Sequence, residues 1–341
     1  LKKKIEKDYI IDKWLNNNSS YREIAYTANV IFETDYWDSE RIRDVIRKYR
    51  KKEEKKSIEL IKVPSISNSS FMNIQNKKLL IMADWHYPFH REDILDIISR
   101  HANEVDVLIV GGDALNVDSL SRFLEINKMS FEEEITSFYN FMVKVRNVFP
   151  IDKKIIFIRG NHEYRLYKSI AAMHEKQLSK FINPEVLQML VDGFTIYEGS
   201  KSFKYEPIPN ISYIPHWFIN INNELIVAHP EEFSKVPSKT IVNAIDYFNS
   251  RFEQYSTVII GHLHKFSEVN KNGKYGIQLG CLCKPQKYAD KGSFTYSPQD
   301  YNYAIMQFDS NGKIDRNASK VYYLDELYPI TEKSVDYKVK I

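Results

Sequence analysis

Five short segments carry metal-binding side chains, and each directly follows an apolar run. They are Asp84-Trp85-His86, Gly112-Asp113, Gly160-Asn161-His162-Glu163, Ala228-His229-Pro230 and Gly261-His262-Leu263-His264. Their donors are imidazoles, carboxylates and one amide oxygen, without a thiolate. Such a mixed nitrogen and oxygen set suits manganese, iron or zinc, and does not resemble a structural Cys-type zinc site. Two ions about 3.5–4 Å apart can clamp the attacking and leaving oxygens of an in-line displacement and present a nucleophile near neutral pH. Asp113 suits a bridging position, because one carboxylate has two oxygens to share. One such segment would be weak support for any chemistry. All five in this order point to hydrolysis of a phosphate ester.

The apolar runs explain how these groups could meet. Leu79–Ala83 leads into Asp84, Val107–Val110 into Gly111-Gly112-Asp113, and Ile155–Ile158 into Arg159-Gly160-Asn161. Leu225–Ala228 leads into His229, and Val258–Ile260 into Gly261-His262. Short continuous apolar runs closed by Gly read as strands buried on both faces. Open α/β sheets bind ligands beyond the carboxyl ends of their strands, so the polar clusters should converge on one edge. Glycine lets the backbone turn sharply there. Helices are expected over about 91–101, 130–148 and 237–255, giving a right-handed βαβ core. Residues 163–210 interrupt the alternation, with one or two helices to Leu190 and then an aromatic, polar stretch from Ile196 to Asn210. Late strands are expected within Tyr275–Asp309, and the tail from about 325 shows no pattern.

The motifs D-x-H, GD, GNHE, a lone His after a strand and GHxH resemble those of the calcineurin-like metallophosphoesterases, over roughly residues 76–310. The resemblance implies an α/β fold, a two-sheet β-sandwich flanked by helices. It implies that Asp84, His86 and His264 hold one ion, that Asn161, His229 and His262 hold another, and that Asp113 bridges them. The implied cofactors are two divalent ions, manganese first, with iron or zinc as alternatives. The implied reaction is attack by a metal-bridging hydroxide. His162 would protonate the leaving oxygen and Glu163 would orient it. Arg165, and secondarily Arg159, suit a bidentate grip on phosphate, unless they pair with a neighbouring carboxylate. The Gly-Asp-Ala-Leu-Asn segment lacks the Asp-Arg-Gly continuation of the Ser/Thr protein phosphatases, which weighs against that substrate and leaves Asn116 and Asp118 to line the site. His90 could rim the site; His101, His174 and His216 read as surface or packing residues. The 163–210 insert is expected to set substrate shape.

Ahead of this lies a short basic segment. Residues 1–56 hold 15 Lys and Arg against 11 Asp and Glu. They read as three helices, about Ile5–Leu15, one capped by Ser20 with Glu23 at the capping-box position, and one after Ser39. The last carries Ile42, Val45, Ile46 and Tyr49 on one face and Arg41, Arg43, Arg47, Lys48, Arg50 and Lys51 on the other. A helix, a turn and a basic amphipathic helix resemble a helix-turn-helix DNA-binding unit, although Val30–Asp38 is a long turn. The expected organisation is therefore a small all-α, helix-turn-helix-like domain at 1–56, a linker at 57–76 and the phosphoesterase domain at 77–341. Ile58–Val63 could add an edge strand. The combination is similar to phage-encoded phosphoesterases with an N-terminal helix-turn-helix and, more distantly, to double-strand-break repair nucleases.

Three functions compete on this reading. The first is a phosphodiesterase cutting nucleic acid, DNA above RNA. The second is a phosphomonoesterase or small-nucleotide phosphodiesterase, with the N-terminal unit as a docking element. The third is a DNA-binding regulator with a vestigial metal site, against which the full ligand set argues. Two-fold DNA binding would imply a homodimer. The 341 residues, 43% apolar and 27% charged, are ordinary for a globular protein, and no run is long and apolar enough to span a membrane. A cytoplasmic setting is expected, that of a bacterial host if the chain is phage-encoded. Cys281 and Cys283 are expected to be buried, reduced thiols outside any metal site.

Overall fold

A computed structural model divides the chain into two compact units, Leu1–Ser70 and Phe71–Ile341. The residues it describes are 2–17, 20–60, 74–121, 128–172, 185–251, 253–285 and 299–324. The expected tail from 325 onward and His174 lie outside them.

The first unit consists of α1 (Lys2–Asn17), α2 (Tyr21–Phe32) and α3 (Ser39–Leu60). The predicted cap of α2 is present in both directions. Glu23 N–H donates to the Ser20 hydroxyl at 3.3 Å, and Ser20 N–H donates to the Glu23 carboxylate at 2.7 Å. Asn29 brackets the long turn after α2, accepting from Trp37 N–H at 2.9 Å and donating to Trp37 O at 2.7 Å. Trp37 thereby joins the buried cluster of Ile10, Ile24, Ile42 and Ile46. The cap of α3 is Asp38, one residue before Ser39, and it accepts from the amides of Glu40 and Arg41. The helix runs past the boundary expected at 56, so Ile58–Leu60 are helical and not an edge strand. The Lys and Glu run at 51–56 has good helix propensity and little β propensity.

The second unit is built on two main sheets. In the larger one β1 (Lys78–Met82), β2 (Val107–Val110), β3 (Lys154–Ile158) and β6 (Ile211–Ile214) are parallel, and β12 (Asn302–Phe308) and β13 (Ile314–Tyr323) add antiparallel at the β1 edge. In the other, β8 (Leu225–Ala228), β9 (Thr257–Ile260) and β11 (Lys274–Gln278) are parallel, flanked by antiparallel β7 (Phe218–Ile221) and β10 (Ser267–Lys271). A separate hairpin pairs β4 (Phe194–Glu198) with β5 (Lys201–Tyr205), where the sequence showed only an aromatic, polar stretch. The expected helices form as α4 (Ile94–His101), α5 (Phe131–Val148) and α8 (Lys239–Ser250); α6 (Tyr164–Ala172) and α7 (Gln188–Asp192) fall in the insert.

The all-apolar strands follow from burial on both faces. Leu80 and Met82 face the core shared with α4 and α5, which includes Ile97, Ile98, Phe138 and Met142. Leu79 and Ile81 alternate with them and are equally buried. Ile226, Ala228, Val258 and Ile260 pack on Ile241, Ile245 and Phe248 of α8. The registers bring the strand ends level: Met82 pairs with Val110, Val110 with Phe157, Ala228 with Ile260 and Ile260 with Gln278. The two sheets meet where these ends lie, since a Cβ on Gly111 would stand 3.5 Å from Val227 of β8.

Candidate metal centre

Each donor segment must turn a side chain back over a strand end, which needs backbone outside the β region. Five of the seven expected ligands have positive φ: Asp84 54°, His86 47°, Asp113 49°, His262 95° and His264 55°. Asp and His tolerate this region better than most side chains, yet each such residue stores of order 1–3 kcal/mol that the surroundings must hold. Two glycines make room for the turns. A Cβ on Gly160 would stand 2.1 Å from Asp113 Oδ1, and one on Gly112, itself at φ 93°, would stand 2.3 Å from the His229 ring.

The structure brings the seven residues together. Asp113 Oδ2 lies 3.2 Å from His229 Nε2 and 3.8 Å from His86 Nε2. Asp84 Oδ1 lies 3.3 Å from His264 Nε2 and 3.7 Å from His86 Nε2. His86 Nε2 faces His264 Nε2 at 2.9 Å, and His229 Nε2 faces Asn161 Oδ1 at 3.2 Å. His262 completes a cluster with Asp113 and His229, and its N–H donates to Asp84 Oδ2 at 2.9 Å. The far ring nitrogens are held from behind. His229 Nδ1 donates to Gly111 O at 2.9 Å, and His86 Nδ1 lies 3.1 Å from Asn116 Oδ1. Both Nε2 atoms are thereby presented inward as donors for a cation, the arrangement of metal-ligating histidines with oriented rings.

The charges are arranged for a cation as well. Burial alone would push Asp84 and Asp113 up, but the surrounding imidazoles outweigh it and hold both carboxyls well below the usual range. Burial opposes a charge on His229, and Asp113 and Asp84 override it to carry the ring to about 9. His262 is pushed down to about 4 by burial and by the neighbouring His229. A proton at His229 therefore occupies a position that a cation would contest.

A calcineurin-like phosphoesterase family model matches residues 77–266, over half of the chain and all five donor segments. The chain belongs to this family. It is accordingly a metal-dependent phosphoester hydrolase, and its His and Asp clusters fit the divalent ions that the family binds. Solved structures similar to it include a predicted phosphoesterase of Streptococcus pneumoniae TIGR4, 13% identical with a TM-score of 0.29, covering 73% of this chain and 98% of that one. Another is the zinc complex of Vps29 from Entamoeba histolytica, at 11%, 0.35, 72% and 98%. A third is an archaeal phosphodiesterase, at 14%, 0.32, 72% and 99%. A curated protein of Plasmodium falciparum (isolate 3D7), provisionally named as an E3 ubiquitin-protein ligase, is 24% identical over 204 residues; the match spans 54% of this chain and 2% of that protein. Among the described residues no helix is long and apolar enough to cross a membrane.

Around this phosphoesterase centre, several residues differ from expectation. His162 Nε2 stands 3.7 Å from Asp113 Oδ2. Its Nδ1 donates to Asn116 O at 2.8 Å, and Arg165 Nη2 donates to its Nε2 at 2.9 Å. With both contacts in place the ring is neutral, and burial together with the Arg165 charge keeps its pKa well below the ordinary value. Glu163 was expected to orient this ring. Its hydrogen bonds among the described residues go instead to backbone amides of Gly160, Asp113 and Leu115 at 2.8, 3.2 and 2.9 Å, because the segment folds its carboxylate under the Gly112-Asp113 turn. Arg165 also donates to Asn116 O at 2.7 Å, which ties it to the site. Arg159 instead pairs with Glu185 at 3.2 Å and stacks on Tyr164. His90 stacks on Tyr87, and His101 is buried against Tyr303 Oη.

Two contributors were missed. Glu134 of α5, 1% exposed, accepts from the amides of Asn116 and Val117 at 3.0 and 2.6 Å and so braces the loop that holds His86 and His162. Burial pushes its carboxyl up to about 7. Cys283 was expected to stand apart from any metal site, yet it clusters with His86 and His264. Both cysteines are buried thiols, as expected, and not a disulfide.

In the first unit, Arg41, Arg43, Arg47 and Lys48 are exposed on α3. Arg41 stacks on Tyr36 at 4.5 Å and bonds to its carbonyl, and Arg47 pairs with Asp44 at 2.9 Å. Arg50 and Lys51 lie in α3, with side chains outside the described residues.

Proposed function

We propose that this phosphoesterase hydrolyses phosphodiester bonds of nucleic acid, DNA in the first instance, and that the N-terminal unit holds the polymer. Asp84, His86 and His264 would hold one ion, Asn161, His229 and His262 the other, with Asp113 shared. The observation that supports this ligand assignment is that Asp113 Oδ2 lies between the two groups, 3.2 Å from His229 Nε2 and 3.8 Å from His86 Nε2, with both rings held from behind through Nδ1. Bound divalent ions, manganese first and iron or zinc as alternatives, would supply Lewis acidity toward the phosphoryl group and a nucleophile at neutral pH.

The chain's own side chains do the rest. His162 is placed to give a proton to the leaving oxygen from Nε2. Nε2 accepts from Arg165 at rest, so it must first take up a proton from solvent; that needs the guanidinium to leave Nε2, and an incoming phosphoryl oxygen is a better acceptor for it. Arg165 thus passes from the ring to the substrate as His162 becomes the acid. Glu163 and Glu134 fix the backbone on which both depend. On α3, the exposed Arg41, Arg43, Arg47 and Lys48 would supply cations for phosphates, with Arg50 and Lys51 next in the sequence. The Arg47–Asp44 pair is no obstacle, since exposed pairs are worth roughly 0–1 kcal/mol.

One observation favours a small-nucleotide phosphodiesterase as the second reading. Phe233 is 60% exposed and its ring lies 6.0 Å from that of His262, a stacking position for a flat leaving group.

The test is Mn²⁺-dependent turnover of a chromogenic diester beside the matching monoester, with the full chain and a version lacking residues 1–56, followed by DNA and RNA substrates. Diester preference with DNA cleavage that weakens on truncation is expected. Intact DNA and RNA with rapid monoester turnover would overturn the nuclease reading.

A further inference from the structure

We propose that Cys283 is a further protein donor, beside the shared Asp113, to the ion at Asp84, His86 and His264, and that this half of the centre takes a thiophilic divalent ion, zinc in the first instance. The inference rests on the two-ion reading above and adds the identity of one ion.

The topology puts Cys283 at the same edge as the other donors. β11 ends level with β9, Gln278 beside Ile260, so the segment after β11 leaves the sheet next to Gly261–His264. Its backbone is fixed on either side of the thiol. Leu282 N–H donates to Asp84 O at 3.1 Å, Cys281 N–H donates to Asp300 O at 2.8 Å, and Cys283 forms a β-bridge with His90. Cys283 is fully buried, with its Sγ 4.0 Å from His264 Nδ1. One ligand atom from each of His86, His264 and Cys283 lies within 4.8 Å of the others. Zinc bonds of about 2.3 Å to sulfur and 2.0 Å to nitrogen put neighbouring donors roughly 3.5 Å apart or less, so the trio needs to contract by about 1.3 Å or somewhat more at its widest on binding.

The consequence is asymmetry. The half at Asp84 gains a soft anionic donor, while the half at Asn161, His229 and His262 has only amide and imidazole besides the shared carboxylate. Softness of the thiolate selects for zinc over manganese at the first half and leaves the second indifferent to it. Cys283 lies beyond the family match at 77–266.

Cobalt loading tests this on the reduced, metal-stripped full chain, with bound ions counted by elemental analysis. A thiolate-to-cobalt charge-transfer band is expected in the near ultraviolet. It should vanish in Cys283→Ser and persist in Cys281→Ser. Cadmium NMR of the unaltered protein gives a second reading that needs no variant, with one of two resonances shifted downfield by sulfur. Two bound ions without the band, a band that survives Cys283→Ser, or cadmium resonances both free of sulfur would each overturn the proposal and leave the two-ion centre intact. Failure to bind any ion would overturn both.

Discussion

At the scale of single residues, proximity alone does not assign roles; the hydrogen bonds behind each side chain do. His229 and His86 are fixed through Nδ1 and offer Nε2, the orientation a ligand needs. His162 is fixed the same way, through the Asn116 carbonyl, but its Nε2 meets a guanidinium. His162→Ala should therefore slow turnover by roughly 10²–10⁴ while the ion content measured on the same preparation stays unchanged. A loss of bound metal would make His162 a ligand. His229→Ala should instead lose both turnover and one ion. The ligand motifs were readable because each sits in a local pattern after a strand. Glu134 and Cys283 were not. Glu134 sits 18 residues after the loop amide it braces, within a Glu132–Glu134 run that reads as an ordinary acidic first turn. Cys283 is brought to His264 only by strand order, which spacing does not reveal.

At the scale of elements, legibility followed burial. Strands buried on both faces stood out as apolar runs, and the capping box at Ser20 marked the start of α2. The β4–β5 hairpin did not stand out, because its strands are largely exposed and carry polar and aromatic side chains alike. The first turn of α5 holds a testable device. Among the described residues Glu134 Oε2 has no hydrogen-bond partner while Oε1 accepts two amides, the arrangement of a protonated acid. Its folded value of about 7 against 4.5 unfolded means that the folded state keeps a proton that the unfolded state loses. Stability from this group is thus present below about 4.5 and lost as pH rises through 7, about 3 kcal/mol in all. Glu134→Gln keeps the acceptor and removes the titration. Urea melts at pH 5 and pH 8 should show the variant's stability changing less between the two, and at pH 8 equalling or exceeding the parent. Glu134→Ala strands the Val117 amide, while the Asn116 amide keeps Tyr87 O at 3.0 Å, and the variant should be less stable at both pH values, by about 1–3 kcal/mol.

At the scale of the whole molecule, the donors come from two sheets: Asp84, His86, Asp113 and Asn161 from one, His229, His262 and His264 from the other. Ions bound only by the folded chain stabilise it by about 2.7 kcal/mol at a hundredfold excess over Kd. Chelation should accordingly lower the melting temperature of the catalytic unit by roughly 5–10 °C, and re-addition of the ion should restore it. An unchanged melting temperature would mean that the folded chain holds no ions. The N-terminal unit has its own buried cluster around Ile24 and Trp37, so its removal should leave turnover of small diesters in place. DNA affinity should fall, along with the salt dependence that phosphate contacts confer. Equal affinity and equal salt slope with and without residues 1–56 would free that unit from any role in binding.

The left-handed backbone at Asp84, His86, Asp113, His262 and His264 bears on how fast the centre fills. These turns are held by buried strands and by amide contacts to Glu163 and Asp84, so their shape belongs to the fold. Ion uptake then has no loop closure to wait for. Its observed rate should climb in proportion to ion concentration in rapid mixing, limited by shedding of water from the ion. A plateau at high concentration would instead reveal a slow step in which the protein first rearranges.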